Sequence, residues 1–198
     1  MLFTKSVLFF LLIFFSIQVY SQENLNPKNQ LLLVSGYSPI SVRLLGKTPN
    51  SLSSIIKFEF RRITKLLFLG EPLYYQFGVI PYIQFEYPKR DNGDRKDLVN
   101  GFGLSPFGLG IHKHVFKKFN YTLYSYGGII LIDKRFPTDK GRRLNYTFSL
   151  SADAVYRLTN LFSLSLGYKF HHISNAQTGK ENPGLDSNFI TISLIISK

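Results

Sequence analysis

The segment LNYTFSLSADAVY, residues 144–156, alternates between two kinds of side chain. Its even-numbered positions are Leu, Tyr, Phe, Leu, Ala, Ala and Tyr, whereas its odd-numbered positions are Asn, Thr, Ser, Ser, Asp and Val. Because successive side chains of a β-strand point to opposite faces, this pattern predicts a strand with one apolar and one polar face. A helix would instead repeat its apolar positions about every 3.6 residues.

The same alternation recurs along the chain, and together the alternating runs predict about eight strands. Eight is the smallest number of strands that closes a transmembrane barrel. The other runs, the first five of which are less regular, are 31–41, 54–67, 72–88, 99–116, 119–134, 162–170 and 190–196.

The joins between the predicted strands alternate in length. Outer-membrane barrels have short periplasmic turns and longer external loops. The chain is therefore predicted to be an all-β, eight-stranded antiparallel transmembrane barrel of the outer membrane, with both termini on the periplasmic side. The short joins are 69–71, 117–118 and 158–160, and the long ones are 42–53, 89–98, 135–142 and 176–186.

A soluble sandwich or a lipocalin-like barrel would alternate in the same way. In such a protein the apolar face points inward, and periodicity alone does not say which face is outside. Two features favour the membrane barrel: the polar faces would pack poorly as a core, and aromatic residues such as Tyr87, Tyr156 and Tyr168 recur near strand ends, as in interfacial girdles.

The N-terminal sequence indicates export. Residues 1–21, MLFTKSVLFFLLIFFSIQVYS, combine an early Lys5 with an apolar run and small or permissive residues before Gln22. This pattern predicts a cleaved signal peptide, followed by one barrel domain over 22–198. The alternative of a retained membrane helix is disfavoured because the apolar run is shorter than the roughly 20 residues that a spanning helix needs.

Composition narrows the possible partners. The chain has no Cys, which excludes disulfides and thiolate chemistry, and its 24 Lys and Arg against 12 Asp and Glu give a formal charge of +12. A basic exported protein favours anionic partners such as membrane phosphates. No nucleic-acid-binding motif is present, so nucleic acid is not a predicted partner.

The segment FHHISNAQTGKENPGLDSNF, residues 170–189, carries residues suited to nucleophilic catalysis. Strand parity places His172 and Ser174 on the lipid-facing side of one strand, and Asp186 on the same side of the next strand. A Ser hydroxyl needs a base, and an acid on the far imidazole nitrogen fixes the tautomer of that base. Asn175 could donate a hydrogen bond to a developing oxyanion. The pattern alone leaves another interpretation open, in which His172 is an interfacial residue and Ser174 is a loop residue without a catalytic role.

Residues 172–176, followed by Asn-Pro-Gly at 182–184 and an acid at 186, resemble the motif of the outer-membrane lipid A 3-O-deacylase family. These PagL-like proteins are also described as acyloxyacyl hydrolases. The resemblance is at motif level over 165–190, and the eight-strand organisation agrees with it along the mature chain. It implies a serine esterase that removes an ester-linked acyl chain from lipid A of lipopolysaccharide, with no metal and no other cofactor.

The resemblance also implies roles for individual residues. Ser174 would be the nucleophile, His172 its base and Asp186 the orienting acid. Asn175 would support the oxyanion, and Asn182 would shape the loop over the site. The chain departs from the pattern at 186, where the best-known members carry the longer Glu, and this departure puts the geometry of the acid in question.

Basic residues in the predicted external loops lie at the level of lipid A phosphates, which predicts phosphate contacts, although a solvated charged rim is an equal alternative. His112 and His114 have a spacing that metal ligands use, but neither Cys nor an acid pair is close in sequence, so no metal site is predicted. The candidate phosphate contacts are Lys89, Arg90, Arg135, Arg142 and Arg143.

Two functions therefore follow from the sequence. The first is hydrolysis of a lipid A acyl ester at the outer face of the barrel. The alternative is a non-catalytic small outer-membrane barrel that serves structure, adhesion or lipid binding. The two differ most at Ser174, because a non-catalytic barrel does not need this hydroxyl.

Overall fold

The computed structural model describes residues 28–89 and 96–198, so the predicted signal peptide lies outside the described residues. Within these ranges all elements of regular secondary structure are β-strands. No helix that is long and apolar enough to cross a membrane occurs there. The strands are β1 (Asn29–Ser38), β2 (Ser41–Val42), β3 (Leu52–Phe68), β4 (Glu71–Pro88), β5 (Lys96–Phe116), β6 (Phe119–Phe136), β7 (Arg142–Arg157), β8 (Phe162–Ser174) and β9 (Leu185–Ser197).

The strands form one closed antiparallel sheet. Each long strand pairs with the next one along the chain, and β1 also pairs with β9, which closes a barrel of eight strands. The prediction of an eight-stranded antiparallel barrel is confirmed. The two-residue β2 was not predicted: it follows a break after Ser38 and pairs with the start of β9, where Val42 lies opposite Asp186.

The apolar face of the strands is on the outside. In β7, Tyr146, Phe148 and Leu150 are 44%, 39% and 47% exposed, whereas Thr147 and Ser149 between them are buried. This arrangement is the reverse of a soluble barrel and is that of a transmembrane barrel, whose exterior contacts lipid. The exposed apolar surface continues around the barrel through Leu33, Phe58, Val79, Leu104, Ile129, Leu166 and Ile192.

Charged and aromatic side chains occupy the lumen. Glu59 forms ion pairs with both of its neighbours on the inward face of β3: Lys57 Nζ lies 2.9 Å from Oε1, and Arg61 Nη2 lies 3.0 Å from Oε2. The Lys57 ammonium also lies 3.7 Å from the centroid of the Tyr126 ring. Ions that are removed from water need such partners, because an unpaired buried charge is strongly destabilising.

Short and long joins alternate, as predicted. The tight turns after β3 and β5 use residues with positive φ, Leu69 and Gly70 in the first and Lys117 in the second. The long joins lie at the opposite end, between β1 and β3, β6 and β7, and β8 and β9. At this end the lumen holds an apolar cluster that includes Ile173 and Leu185. The cluster fixes the adjoining ends of β8 and β9, which carry the candidate catalytic residues.

Candidate active site

The candidate catalytic residues lie at the adjoining ends of β8 and β9. In the register of these strands, His172 is opposite Asp186, and Ile173 is opposite Leu185. Ile173 and Leu185 are fully buried in the lumen. Their neighbours along each strand therefore project outward, which puts His172, Ser174 and Asp186 on the same outer face.

The imidazole of His172 is hydrogen-bonded to Asp186. Its Nδ1 lies 2.6 Å from Oδ1 of the carboxylate. The imidazole is 17% exposed, and the carboxylate is fully buried. Because the carboxylate only accepts, Nδ1 is the protonated nitrogen in the neutral ring, which leaves Nε2 as the acceptor. Ser174 is two residues further along β8, so it lies on the same face of the strand as His172.

Three consecutive backbone amides hold the other carboxylate oxygen. The N–H groups of Leu44, Leu45 and Gly46 donate to Asp186 Oδ2 at 2.9, 2.6 and 2.8 Å. These donors come from the join after β2 and explain how an acid on the outer face is nevertheless fully buried. Sequence analysis did not identify them, because a backbone amide has no residue-type signature.

The turn after Ser174 is organised by two asparagines. The backbone N–H of Asn175 donates to Asn182 Oδ1 at 2.9 Å, and Asn175 Nδ2 donates to the carbonyl of Glu181 at 2.7 Å. The Asn175 carbonyl accepts from the Thr178 hydroxyl at 2.7 Å. Asn182 thus ties the end of the loop to its start. One amide hydrogen of Asn175 is used within the loop, and its predicted role toward an oxyanion stays a prediction.

Gly184 lies directly against the imidazole. Its φ is +63°, and a Cβ built at this position would be 2.9 Å from His172 Cε1. Glycine is the residue that adopts positive φ at little cost and allows such a close approach. Gly184 of the Pro-Gly pair is therefore required both by the turn and by the lack of space for a side chain beside His172.

Apolar side chains of β7 flank the polar pair. Tyr146 lies opposite Ser174, and Phe148 lies opposite His172. Both aromatic side chains are exposed, on the same outer face as their partners. The polar groups at the strand ends are thus bordered by an apolar surface that continues down the barrel wall.

A groove of about 530 Å³, here called the arginine groove, is lined by Tyr146 and by three of the basic residues predicted to contact phosphate. Arg142 Nε donates to the Thr178 carbonyl at 2.9 Å, and Arg143 Nε donates to the Ile132 carbonyl at 3.1 Å. These bonds use one donor of each guanidinium, which has five N–H groups. The groove is lined by Leu131, Arg135, Gly141, Arg142, Arg143, Leu144, Tyr146 and Thr178.

Lys89 is not in this groove. Its Nζ is 2.9 Å from Asp97 Oδ1, and it lines a separate depression of about 590 Å³ together with Glu181 and Asn182. Arg90 lies outside the described residues. The structure therefore brings Arg135, Arg142 and Arg143 together and places Lys89 elsewhere.

His112 and His114, whose spacing is one that metal ligands use, lie on β5. His112 is 4% exposed, and its ring centroid is 6.0 Å from that of Tyr74 in the lumen. His114 Nδ1 is 3.0 Å from Asn120 Oδ1. Across residues 28–89 and 96–198, no three His, Cys, Asp or Glu side chains are grouped so that they could hold a metal ion.

Comparison with known proteins identifies relatives. Residues 16–194 match the family model described as lipid A 3-O-deacylase (PagL). No curated protein sequence matches the chain significantly.

Several solved structures share the fold, among them the following two. The outer membrane enzyme PagL has a TM-score of 0.60 and 11% identity, over 83% of this chain and 97% of that one. Neisserial surface protein A (NspA) has a TM-score of 0.56 and 7% identity, over 86% of this chain and 96% of that one. At these identities the two structures support the barrel fold. The family model, in contrast, spans most of the sequence, and the chain belongs to the lipid A 3-O-deacylase (PagL) family.

Proposed function

We propose that this protein is a serine esterase of the outer membrane that removes an ester-linked acyl chain from lipid A of lipopolysaccharide. The observation that carries the proposal is the hydrogen bond between His172 and Asp186, on the outer face of the barrel and on the same strand face as Ser174. Family membership supports the same chemistry. A polar cluster facing lipid is costly, which favours a functional explanation over a structural one.

The proposed reaction begins with Ser174. Its Oγ attacks the carbonyl carbon of the ester while His172 Nε2 accepts the hydroxyl proton. Asp186 stabilises the resulting imidazolium through Nδ1–H, and Asn175 is the candidate donor to the oxyanion. Collapse of the tetrahedral intermediate breaks the bond to the sugar oxygen, which takes the proton from His172 and leaves as an alcohol. Water then attacks the acyl-serine carbonyl as His172 accepts its proton. The bond to Ser174 Oγ breaks, Oγ takes the proton back from His172, and the fatty acid leaves.

The position of the site suits a substrate in the outer leaflet. It lies at the end of the barrel that has the long joins, which is the external end in outer-membrane barrels. Tyr146 and Phe148 offer an apolar surface beside Ser174 along which an acyl chain can lie. We therefore propose that the ester group sits at the edge of the membrane while its acyl chain remains in the apolar layer.

The arginine groove is the proposed site for a phosphate of the substrate. It is lined by Tyr146, the residue opposite Ser174, and by Arg135, Arg142 and Arg143. Guanidinium groups bind phosphate through paired N–H donors. Lys89 is a weaker candidate because it is already paired with Asp97.

Mass spectrometry of lipid A after incubation with the refolded protein in detergent micelles tests the proposal. The expected result is a mass loss equal to one ester-linked acyl chain, with release of the matching fatty acid. Unchanged lipid A in the presence of folded protein would favour the non-catalytic barrel. A companion fractionation tests location: the protein should remain with outer membranes after carbonate extraction, and recovery as a soluble periplasmic monomer would contradict it.

A further inference from the structure

Residues 43–48, here called the strap, enclose Asp186 although they precede it by about 140 positions. Before the strap, β2 pairs Ser41 with Ser187. At the other end of the strap, the Lys47 N–H donates to the Pro183 carbonyl at 2.7 Å. The Thr48 hydroxyl donates to the Gly184 carbonyl at 2.6 Å. Both ends of the strap are thus tied to the residues that flank Asp186.

We propose that the strap is a positioning element for the catalytic acid: its three amides hold Asp186 Oδ2 and thereby aim Oδ1 at His172. The inference rests on the proposed function and adds residues 44–46 to it. They act through Asp186 and do not touch the reacting ester. Their effect is on the rate of the reaction rather than on substrate binding.

The hydrogen bonding of the carboxylate supports this role. Oδ2 accepts from Leu44, Leu45 and Gly46, and Oδ1 pairs with His172, so both oxygens are engaged. Successive amides that converge on one oxygen form an anion-binding concavity, and hydrogen bonds to an ionised group are stronger than neutral ones. Rotation of the carboxylate would break these bonds. Because the side chain is fully buried, water cannot easily replace them.

Gly46 is the residue that the strap requires. A Cβ there would be 2.8 Å from the Leu185 nitrogen and 2.9 Å from the Gly184 carbonyl carbon. Both are backbone atoms next to the acid, so a side chain at 46 must push the strap away from it. Leu44 and Leu45, in contrast, are 73% and 56% exposed, so their amides rather than their side chains face the site.

A double-mutant cycle separates positioning from simple support of the fold. The variants are Gly46→Ala, Asp186→Asn and their combination, with Gly127→Ala as the matched control. Gly127 lies in β6, where an added Cβ has its nearest neighbour at 3.6 Å, so an ordinary methyl group fits. Folding of each variant is checked by heat-modifiable migration on gels.

Two rates are measured for each variant. The first is lipid A hydrolysis, separated into kcat and KM. The second is labelling of Ser174 by a fluorophosphonate, which does not require lipid A. In this step the serine Oγ bonds to phosphorus, the P–F bond breaks, fluoride leaves, and the serine proton passes to His172.

Gly46→Ala is expected to lower kcat and the labelling rate by roughly 10- to 100-fold, because a misplacement of about 1 Å has that effect on catalysis. KM should stay within about two-fold of the parent value, because the strap does not bind substrate. In the Asp186→Asn background, Gly46→Ala should add less than about two-fold, since both changes act through one carboxylate. Gly127→Ala should match the parent.

The inference is overturned if folded Gly46→Ala reacts at the parent rate, or if Gly46→Ala causes the same fold loss in the Asp186→Asn background as in the parent. If Gly46→Ala does not fold, Leu45→Pro, which removes the amide donor and keeps Gly46, is put through the same cycle. If neither folds while Asp186→Asn does, the strap supports the barrel rather than the acid, and the inference is wrong.

The two readouts also separate this inference from the proposed function. A parent protein that labels at Ser174 but leaves lipid A intact would refute the proposed substrate, while the labelling rates still decide the role of the strap. A parent protein that cleaves lipid A, together with a Gly46→Ala variant that matches it in both rates, would refute the strap alone. If Ser174 neither labels nor supports hydrolysis, both proposals fail.

Discussion

His172 Nδ1 lies 2.6 Å from Asp186 Oδ1, although the two residues are 14 positions apart and an external loop separates them. They are direct cross-strand partners, and the register between them is fixed by the inward-facing pair Ile173 and Leu185. A slip of one residue would move the apolar pair out of the lumen. The barrel wall therefore sets the geometry of the candidate base and acid.

Asp186→Asn is expected to lower kcat by roughly 10²–10⁴, because the amide cannot stabilise the imidazolium as a carboxylate does. Asp186→Glu should be more active than Asp186→Asn, since it keeps the charge, although its extra methylene shifts the carboxylate from the three strap amides. Rates on lipid A in micelles check both variants, with folding verified on the same samples. If the Asn variant runs within a few-fold of the parent, Asp186 is a turn residue and the catalytic unit is a dyad.

Gly184→Ala should displace His172 and reduce activity by roughly 10²-fold or more. The added methyl would lie 2.9 Å from His172 Cε1, and the φ of +63° disfavours any residue with a Cβ. The same assay on Gly127→Ala controls for replacing a glycine in the barrel. Parent-like activity of folded Gly184→Ala would show that the imidazole has room to move without loss of function.

Arg142→Gln is expected to raise KM for phosphorylated lipid A by roughly 10-fold or more, since a hydrogen bond to a charged group contributes about 1.5–3 kcal/mol. The effect should disappear when the substrate has been dephosphorylated beforehand, because the partner of the guanidinium is then missing. Lys89→Gln, in the separate depression, provides a comparison. Equal effects on both substrates would exclude a phosphate contact at Arg142.

Glu59→Gln is expected to lower the free energy of unfolding by about 3–5 kcal/mol, because it leaves buried Lys57 and Arg61 without their shared carboxylate. Urea unfolding in lipid vesicles measures the change. Activity per folded molecule should be unaffected, since Glu59 lies in the lumen and not at the outer face. Unchanged stability would mean that Asp153 or water stabilises the buried charges of Lys57 and Arg61 in place of Glu59.

Much of this architecture could be predicted from sequence, because alternate residues of a membrane strand face lipid and lumen and therefore alternate between apolar and polar. The parity that makes Tyr146 and Phe148 lipid-facing also places His172 and Ser174 on the outside. Antiparallel pairing across one loop was enough to bring Asp186 to His172. These inferences need only local periodicity and the order of the strands.

Other features depend on long-range contacts that periodicity does not encode. The sequence pattern extended the first strand straight through 31–41, whereas the chain breaks after Ser38 and the strap closes over Asp186. Backbone amides make the contacts between the strap and Asp186, so no side-chain motif in the sequence indicates them. The pairing of Arg61 with Asp153, at 3.9 Å, likewise exists only once the barrel is closed.

The most direct test of the account compares the parent protein with Ser174→Ala on the same lipid A sample, followed by mass spectrometry. Loss of the hydroxyl removes the nucleophile and little packing, so the variant should fold and migrate on gels like the parent. The account predicts that the parent removes one ester-linked acyl chain and that the variant leaves lipid A intact. Release of the same chain by folded Ser174→Ala would contradict it.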